Sequence, residues 1–137
     1  AAYSASVSDM QYVTVATAGN ATAFGSLTEQ QNNAHGSAND TRGLIFGGAS
    51  PAGTASDFMV YITIQTLGNA TDFGNLTVSR RYTAGGCNGY RVVMGNGGMP
   101  NSPTNVIDYV TLATPGNATD FGDTTVGRAG SAGDAQD

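Results

Sequence analysis

The chain has no lysine, no tryptophan, a single cysteine and a single histidine, and five arginines stand against ten acidic residues in 137. Each shortage excludes something. A net charge of -5 leaves no basic stripe for a nucleic-acid backbone. It offers no attraction to an anionic membrane surface either. Cys87 is alone and cannot form an internal disulfide. Its counterpart one repeat earlier is Ala38, so a small buried residue is expected there. His35 is also alone. It cannot build a metal site by itself, and no Ser-His-Asp or Cys-His set can be placed around it. No apolar run approaches the roughly 18 residues of a membrane-spanning helix. No segment of eight or more residues carries helical spacing, so almost no helix is expected. A signal peptide and an initiator Met are lacking too, from which the expectation is a processed chain or a piece of something longer. Charged residues are nonetheless too few, and strand formers too many, for a chain kept disordered by its charge.

What the chain has is glycine, 20 residues of it, and one phrase written three times. Tyr12-Val13-Thr14-Val15 leads to Gly19-Asn20-Ala21-Thr22-Ala23-Phe24-Gly25. Tyr61-Ile62-Thr63-Ile64 leads to Gly68-Asn69-Ala70-Thr71-Asp72-Phe73-Gly74. Tyr109-Val110-Thr111-Leu112 leads to Gly116-Asn117-Ala118-Thr119-Asp120-Phe121-Gly122. The spacing is 49 residues from Gly19 to Gly68 and 48 from Gly68 to Gly116. A fixed period of this size marks a propeller or another stacked array. In such an array no repeat buries its own apolar faces, and each needs its neighbours.

Within each period the strand signals come in a regular order. Arg42-Gly43-Leu44-Ile45-Phe46 closes on Gly47-Gly48, and Arg91-Val92-Val93-Met94 closes on Asn96-Gly97-Gly98. Short apolar runs ended by glycines read as buried strands. Proline-containing loops follow, and then long strands near Phe58 to Thr66 and Val106 to Thr114, with a first copy from Met10 to Thr17. Their alternation points Val13, Val15, Ile62, Ile64, Val110 and Leu112 one way and the Tyr and Thr residues the other. Two semi-apolar faces suit a strand held between neighbouring sheets. Thr114-Pro115-Gly116-Asn117 spells a type II turn with Gly116 at positive φ. The Phe of each copy is expected to open a fourth short strand.

This pattern resembles a kelch repeat. The resemblance is carried by Arg80 or Arg81, then Arg91 to Gly98, then Tyr109, then Phe121, with Arg128 opening the next unit. It spans the whole chain, with Phe where the family usually has Trp. The Gly-Asn-Ala-Thr-Asp-Phe-Gly variety looks like arrays in aquatic phage and bacterial proteins. The resemblance implies four-stranded blades of a β-propeller, which in that family mostly bind partners. The copper oxidases of the family need several His and Tyr ligands, which a single histidine cannot supply.

The expected fold is therefore all-β: a kelch-like propeller arc of about three four-stranded blades, off-register at both ends. Residues 1–26 read as a partial blade, 27–76 and 77–125 as blades, and 126–137 as the start of another. Propellers typically have roughly four to eight blades. An arc of a longer chain is the first expectation, and completion by other copies the second. The structural repeat set is Gly47, Gly48, Gly97, Gly98, Tyr12, Tyr61, Tyr109, Phe24, Phe73, Phe121, Arg42, Arg91, Arg80 and Arg128. The arginines are expected to pair with Asp72, Asp120 or Asp57, or with strand-end carbonyls, though an acidic ligand would also suit them. The Asn-x-Thr sequences at Asn20, Asn39, Asn69, Asn75 and Asn117 match glycosylation acceptors, but Asn20, Asn69 and Asn117 sit in the same turn of every unit, which favours backbone bonding. Asp57 and Asp108 flank the long strands without the dense acidic motif of a calcium loop. Tyr3, Tyr82 and Tyr90 break the repeat and are the candidates for a binding surface, such as stacking on a sugar. No metal, cofactor or catalytic residue is assigned.

The functional expectation is a non-enzymatic structural or adhesive module, a phage tail or fibre component presenting loops to a host surface. It would work in the virion or outside the cell, with a host glycan or protein as possible partner and no nucleic acid or membrane insertion. The alternatives are a bacterial secreted or surface propeller, or a non-catalytic part of a larger propeller enzyme.

Overall fold

In a computed structural model, residues 7–99 and 102–133 are described. Tyr3 lies outside them. All regular structure there is β-strand, as expected, and no helix forms. Strands β1 (Val7–Tyr12) and β2 (Thr22–Gln31) make a two-stranded hairpin. Strands β3 (His35–Ala38), β4 (Arg42–Phe46), β5 (Phe58–Thr63) and β6 (Thr71–Asn75) form a four-stranded antiparallel meander in chain order. A second meander repeats it with β7 (Ala84–Cys87), β8 (Arg91–Gly95), β11 (Val106–Thr111) and β12 (Thr119–Asp123). The loop between β8 and β11 carries the small pair β9 (Gly98–Met99) and β10 (Ser102–Pro103). Among the described residues these sheets do not close into a barrel or ring.

The register explains why the strand sequences look as they do. Leu44 pairs with Tyr61 and Phe46 with Met59, so these side chains share one face of the first meander. Ile45 pairs with Val60 and Gly43 with Ile62 on the opposite face. In the second meander Val92 pairs with Val110 and Met94 with Asp108 on one face. Leu44, Phe46, Met59 and Phe73 then pack with Cys87, Val92, Met94, Val110 and Leu112 in one core between the meanders. The other face of the first meander, with Phe58, Val60 and Ala70, packs on Met10 and Leu27 of the hairpin. A sheet with both faces apolar is thus a layer in a stack. Each large side chain buried this way contributes about 1.5–3 kcal/mol.

Several expectations need adjustment. The long strands stop at Tyr12, Thr63 and Thr111, earlier than their alternation suggests. In each copy a tight turn follows, with Thr17 donating to Thr14, Thr66 to Thr63 and Thr114 to Thr111. This turn takes the reversal that the Pro-Gly pair was expected to make. Gly116 consequently does not adopt positive φ, and the type II turn is absent there. The fourth strands begin at Thr22, Thr71 and Thr119, so each Phe lies two residues inside its strand. The Gly-Gly pairs do need glycine: Gly47, Gly48, Gly97 and Gly98 all have positive φ. Gly48 donates to the Arg80 carbonyl at 2.9 Å, and Gly97 donates to the Arg128 carbonyl at 2.7 Å. These bonds pin the segment that leaves each meander.

Candidate functional site

The chemistry of this chain gathers at the junctions between layers. The Gly-Asn-Ala turns that follow β5 and β11 seat on the Phe-Gly strand of the layer before them. Gly68 donates to the Phe24 carbonyl at 2.9 Å, and Ala70 donates to the Ser26 carbonyl at 2.8 Å. The Asn69 Oδ1 accepts from the Ser26 amide at 3.1 Å. One period on, Ala118 donates to the Asn75 carbonyl at 2.9 Å. The Asn117 Oδ1 accepts from the Asn75 amide at 3.1 Å. The approach is so close that a Cβ on Gly25 would collide with the Gly68 carbonyl, and one on Gly74 with the Gly116 carbonyl. This clasp accounts for the Gly-Asn-Ala-Thr-x-Phe-Gly phrase: the first Gly and Asn grip, and the final Gly is gripped.

Two of the repeated asparagines therefore spend their side-chain oxygen on backbone, as expected of a turn-holding role. Asn39 does the same inside its own hairpin, accepting from Thr41 and Arg42 amides, and its Nδ2 donates to the Gly89 carbonyl of the second meander at 2.9 Å. Asn88 accepts from Tyr90 and Arg91 amides in the matching turn. Asn88 shares this role without being part of an Asn-x-Thr sequence. Its signal was the alignment of Asn39 with Asn88 one period apart.

Arginines provide the second tie. Arg42 stacks 4.5 Å from the centre of the Tyr61 ring. Its Nη1 donates across the junction to the Leu112 and Ala113 carbonyls, at 2.9 and 3.0 Å. Strand-end carbonyls were among its expected partners. Arg91 stacks on Tyr109 with the same 4.5 Å spacing. Each of these tyrosines also meets the Phe of its own unit edge-on. Tyr12–Phe24, Tyr61–Phe73 and Tyr109–Phe121 have ring centres 6.1, 6.0 and 5.9 Å apart.

Arg80 makes the strongest tie. It follows β6, is fully buried, and enters the second meander, where its Nη2 lies 2.8 Å from Asp108 Oδ2. It also donates to the Met94 and Val106 carbonyls at 3.2 and 3.0 Å. Asp108 in turn accepts from the Thr77 hydroxyl at 2.6 Å and the Thr77 amide at 3.2 Å. Burial pulls the Arg80 pKa below its ordinary value, and the charge of Asp108 opposes that pull. The acid expected to pair with the arginines was Asp57, Asp72 or Asp120, and for Arg80 it is instead Asp108. Asp108 occupies the register position of Val60, and Arg80 the position of Gln31. The exchange of both partners together is visible only once the strands are in register.

The candidates for ligand chemistry do not converge. Tyr82 precedes β7 and Tyr90 follows it, so the two lie at opposite ends of that strand. Tyr90 is exposed, while Tyr82 is half-buried, has positive φ and lies beneath the Arg81 guanidinium. His35 rests on the Phe46 ring, 5.5 Å between centres. Cys87 is buried in the core, as expected from Ala38. Among the described residues no group of three His, Cys, Asp or Glu side chains could hold a metal ion. Nor is there a helix long and apolar enough to cross a membrane. Two apolar cavities flank the layers, one on an open outer face and one between the hairpin and the first meander. One of about 520 Å³ lies on the outer face of the second meander beside Val93, Ile107 and Phe121. The other, about 640 Å³, is bounded by Met10, Tyr12, Val13, Ile45 and Ile62. Compared with known proteins, the chain matches no family model and no curated protein.

Proposed function

We propose that the hairpin and the two meanders are successive blades of a kelch-type β-propeller array, and that this array is a non-enzymatic structural and adhesive module. Its setting in this reading is a virion, as a tail or fibre component that presents loops to a host-surface glycan or protein. The observation that carries the reading is the division of labour along the chain. The Tyr–Phe pair and the Arg–Tyr stack recur at fixed positions within the layers, and the Gly-Asn-Ala clasp holds layer to layer. The segments after Gly-Gly, 49–57 and 99–105, differ in sequence between units. So do the turns holding Asp40 and Tyr90. A scaffold locked by backbone ties lets loops change without disturbing strands, which is what a recognition surface needs.

The virion setting rests on the likeness of the repeated phrase to arrays in aquatic phage and bacterial proteins. Density-gradient fractionation of the native source, followed with an antibody to this chain, tests it. The protein is expected to band with intact particles. Its presence in cell-envelope fractions and absence from particles would reject the virion setting and favour a bacterial surface module.

A further inference from the structure

The two ends of the stack carry matching parts of one unused junction, the hairpin holding the counterparts of β11 and β12 alone. The second meander presents an outer face made of Arg91, Val93, Ile107, Tyr109 and Phe121, the counterparts of Arg42, Leu44, Met59, Tyr61 and Phe73. That earlier set is covered by the second meander. The later set has no covering layer among the described residues. Phe24 and Phe73 are 9% and 2% exposed, whereas Phe121 is 57% exposed. The opposite end shows the reverse gradient. Leu112 is 0% exposed in its junction, its counterpart Ile64 is 39% exposed and the next counterpart, Val15, is 98% exposed.

The polar ties are unused in the same places. A Cβ on Gly122 would meet nothing, although the same position at Gly25 and Gly74 is filled by a Gly-Asn-Ala turn. At the other end the Gly19-Asn20-Ala21 turn is exposed, and the Asn20 side chain has no hydrogen-bond partner among the described residues. The Arg91 guanidinium stacks on Tyr109 but reaches no carbonyl among the described residues, unlike that of Arg42. Arg128, at the position of Arg80, is exposed.

We propose that copies of this chain join head to tail, with the Gly19-Asn20-Ala21 turn and Val13 and Val15 of one copy seated on the Arg91–Tyr109–Phe121 face of the next. The inference concerns how the array is extended and is independent of which surface its loops recognise. The repeat dictates the contacts. Asn20 Oδ1 accepts from the Asp123 amide, as Asn117 does from Asn75. Arg91 donates to the Val15 and Ala16 carbonyls, as Arg42 does to Leu112 and Ala113. Arg128 meets Gln11, at the position of Asp108, with Asp9 on the same face of β1. The occupant is a second copy because one chain carries both complementary surfaces. Such a contact is heterologous: each copy uses one surface of each kind, so association continues until a ring closes or a filament grows.

Two variants test it, each blocking one end at exposed residues: Val13→Asp with Val15→Asp, and Arg91→Glu with Phe121→Asp. Mass is read by sedimentation equilibrium over a concentration series. The native chain is expected to form multimers of its 13.8 kDa unit. Each variant alone is expected to stay monomeric, and an equimolar mixture to give a 1:1 heterodimer and nothing larger. The heterodimer requires each variant's open end to be folded, so it separates a blocked interface from a failed fold. A native chain that remains monomeric at its highest soluble concentration overturns the proposal. So do multimers that persist in both variants, and so does a mixture that stays monomeric.

Discussion

Phe73 and Phe121 occupy the same position of the repeat, each meets the tyrosine of its own unit edge-on and each sits in the last strand of its meander, yet one is buried and the other exposed. The difference is that a further layer covers Phe73, whereas no layer among the described residues covers Phe121. A layer in this protein supplies one wall of each core, and its neighbour supplies the other. The repeated residues are thus junction residues, and their energetic weight depends on occupancy of the junction. Substitution should expose this. Phe73→Ala empties a site walled by both meanders and is expected to cost about 3–5 kcal/mol. Phe121→Ala in the dilute chain is expected to cost less than about 0.5 kcal/mol, as at an ordinary surface site. Paired urea titrations measure both. Equal losses would show that burial is set within a meander and not between layers.

The occupied junctions differ from each other as well. Between the meanders Arg80 and Asp108 form a buried, hydrogen-bonded ion pair. Between the hairpin and the first meander the same positions hold Gln31 and Val60, also buried. Two solutions to one position predict a strong coupling. Arg80→Gln leaves a carboxylate without its cation, and Asp108→Val leaves a guanidinium without its anion. Each is expected to destabilise by about 3 kcal/mol. The double variant copies the first junction and is expected to lie within about 1 kcal/mol of the native chain, since replacing a buried pair by a neutral set is often nearly neutral. A double-mutant cycle that comes out additive would remove the pair from the account of how layers are held.

This second comparison also shows where sequence reading stops. The period, the all-β class, the strand order and the buried state of Cys87 follow from residues alone, because alternation and glycine punctuation are local signals. The partner of Arg80 is not local. Asp108 stands 28 residues away and takes the place of a valine in the previous unit. The turn chemistry was misread at Gly116 for a related reason. The Pro-Gly pair carries a strong local preference. A Thr111–Thr114 turn takes the reversal first, and Gly116 then lies against Gly74 of the neighbouring layer without positive φ. The dispersal of Tyr82 and Tyr90 to opposite ends of β7 was likewise invisible without the hairpin register.

The glycines sharpen the contrast between closed and open junctions at smaller energies. Gly74 and Gly122 have φ of 139° and 134°, so alanine is strained at both. Only at Gly74 does a neighbour's carbonyl fill the space a methyl needs. Gly74→Ala is expected to be worse than Gly122→Ala by about 1–3 kcal/mol, the usual range for overpacking. Thermal melts of the two variants side by side cancel the shared backbone strain. A difference near zero would mean that the clasp yields easily.

The smallest effect is the most local. Asn117 offers its Oδ1 to the Asn75 amide, whereas among the described residues no side chain accepts from the Asp123 amide at the corresponding open end. Removing one such bond costs about 1 kcal/mol. Asn117→Ala is therefore expected to lose about that much stability and to speed hydrogen exchange at the Asn75 amide in particular. Asn20→Ala in the dilute chain is expected to change neither stability nor exchange, because the Asn20 side chain grips nothing there. The same amide readout connects this test to assembly. If copies join head to tail, Asp123 becomes the partner of Asn20, and raising the concentration slows exchange at Asp123 in the native chain but not in Asn20→Ala. Protection at Asp123 that rises equally in both would leave the asparagine a turn residue with no part in holding one layer to the next.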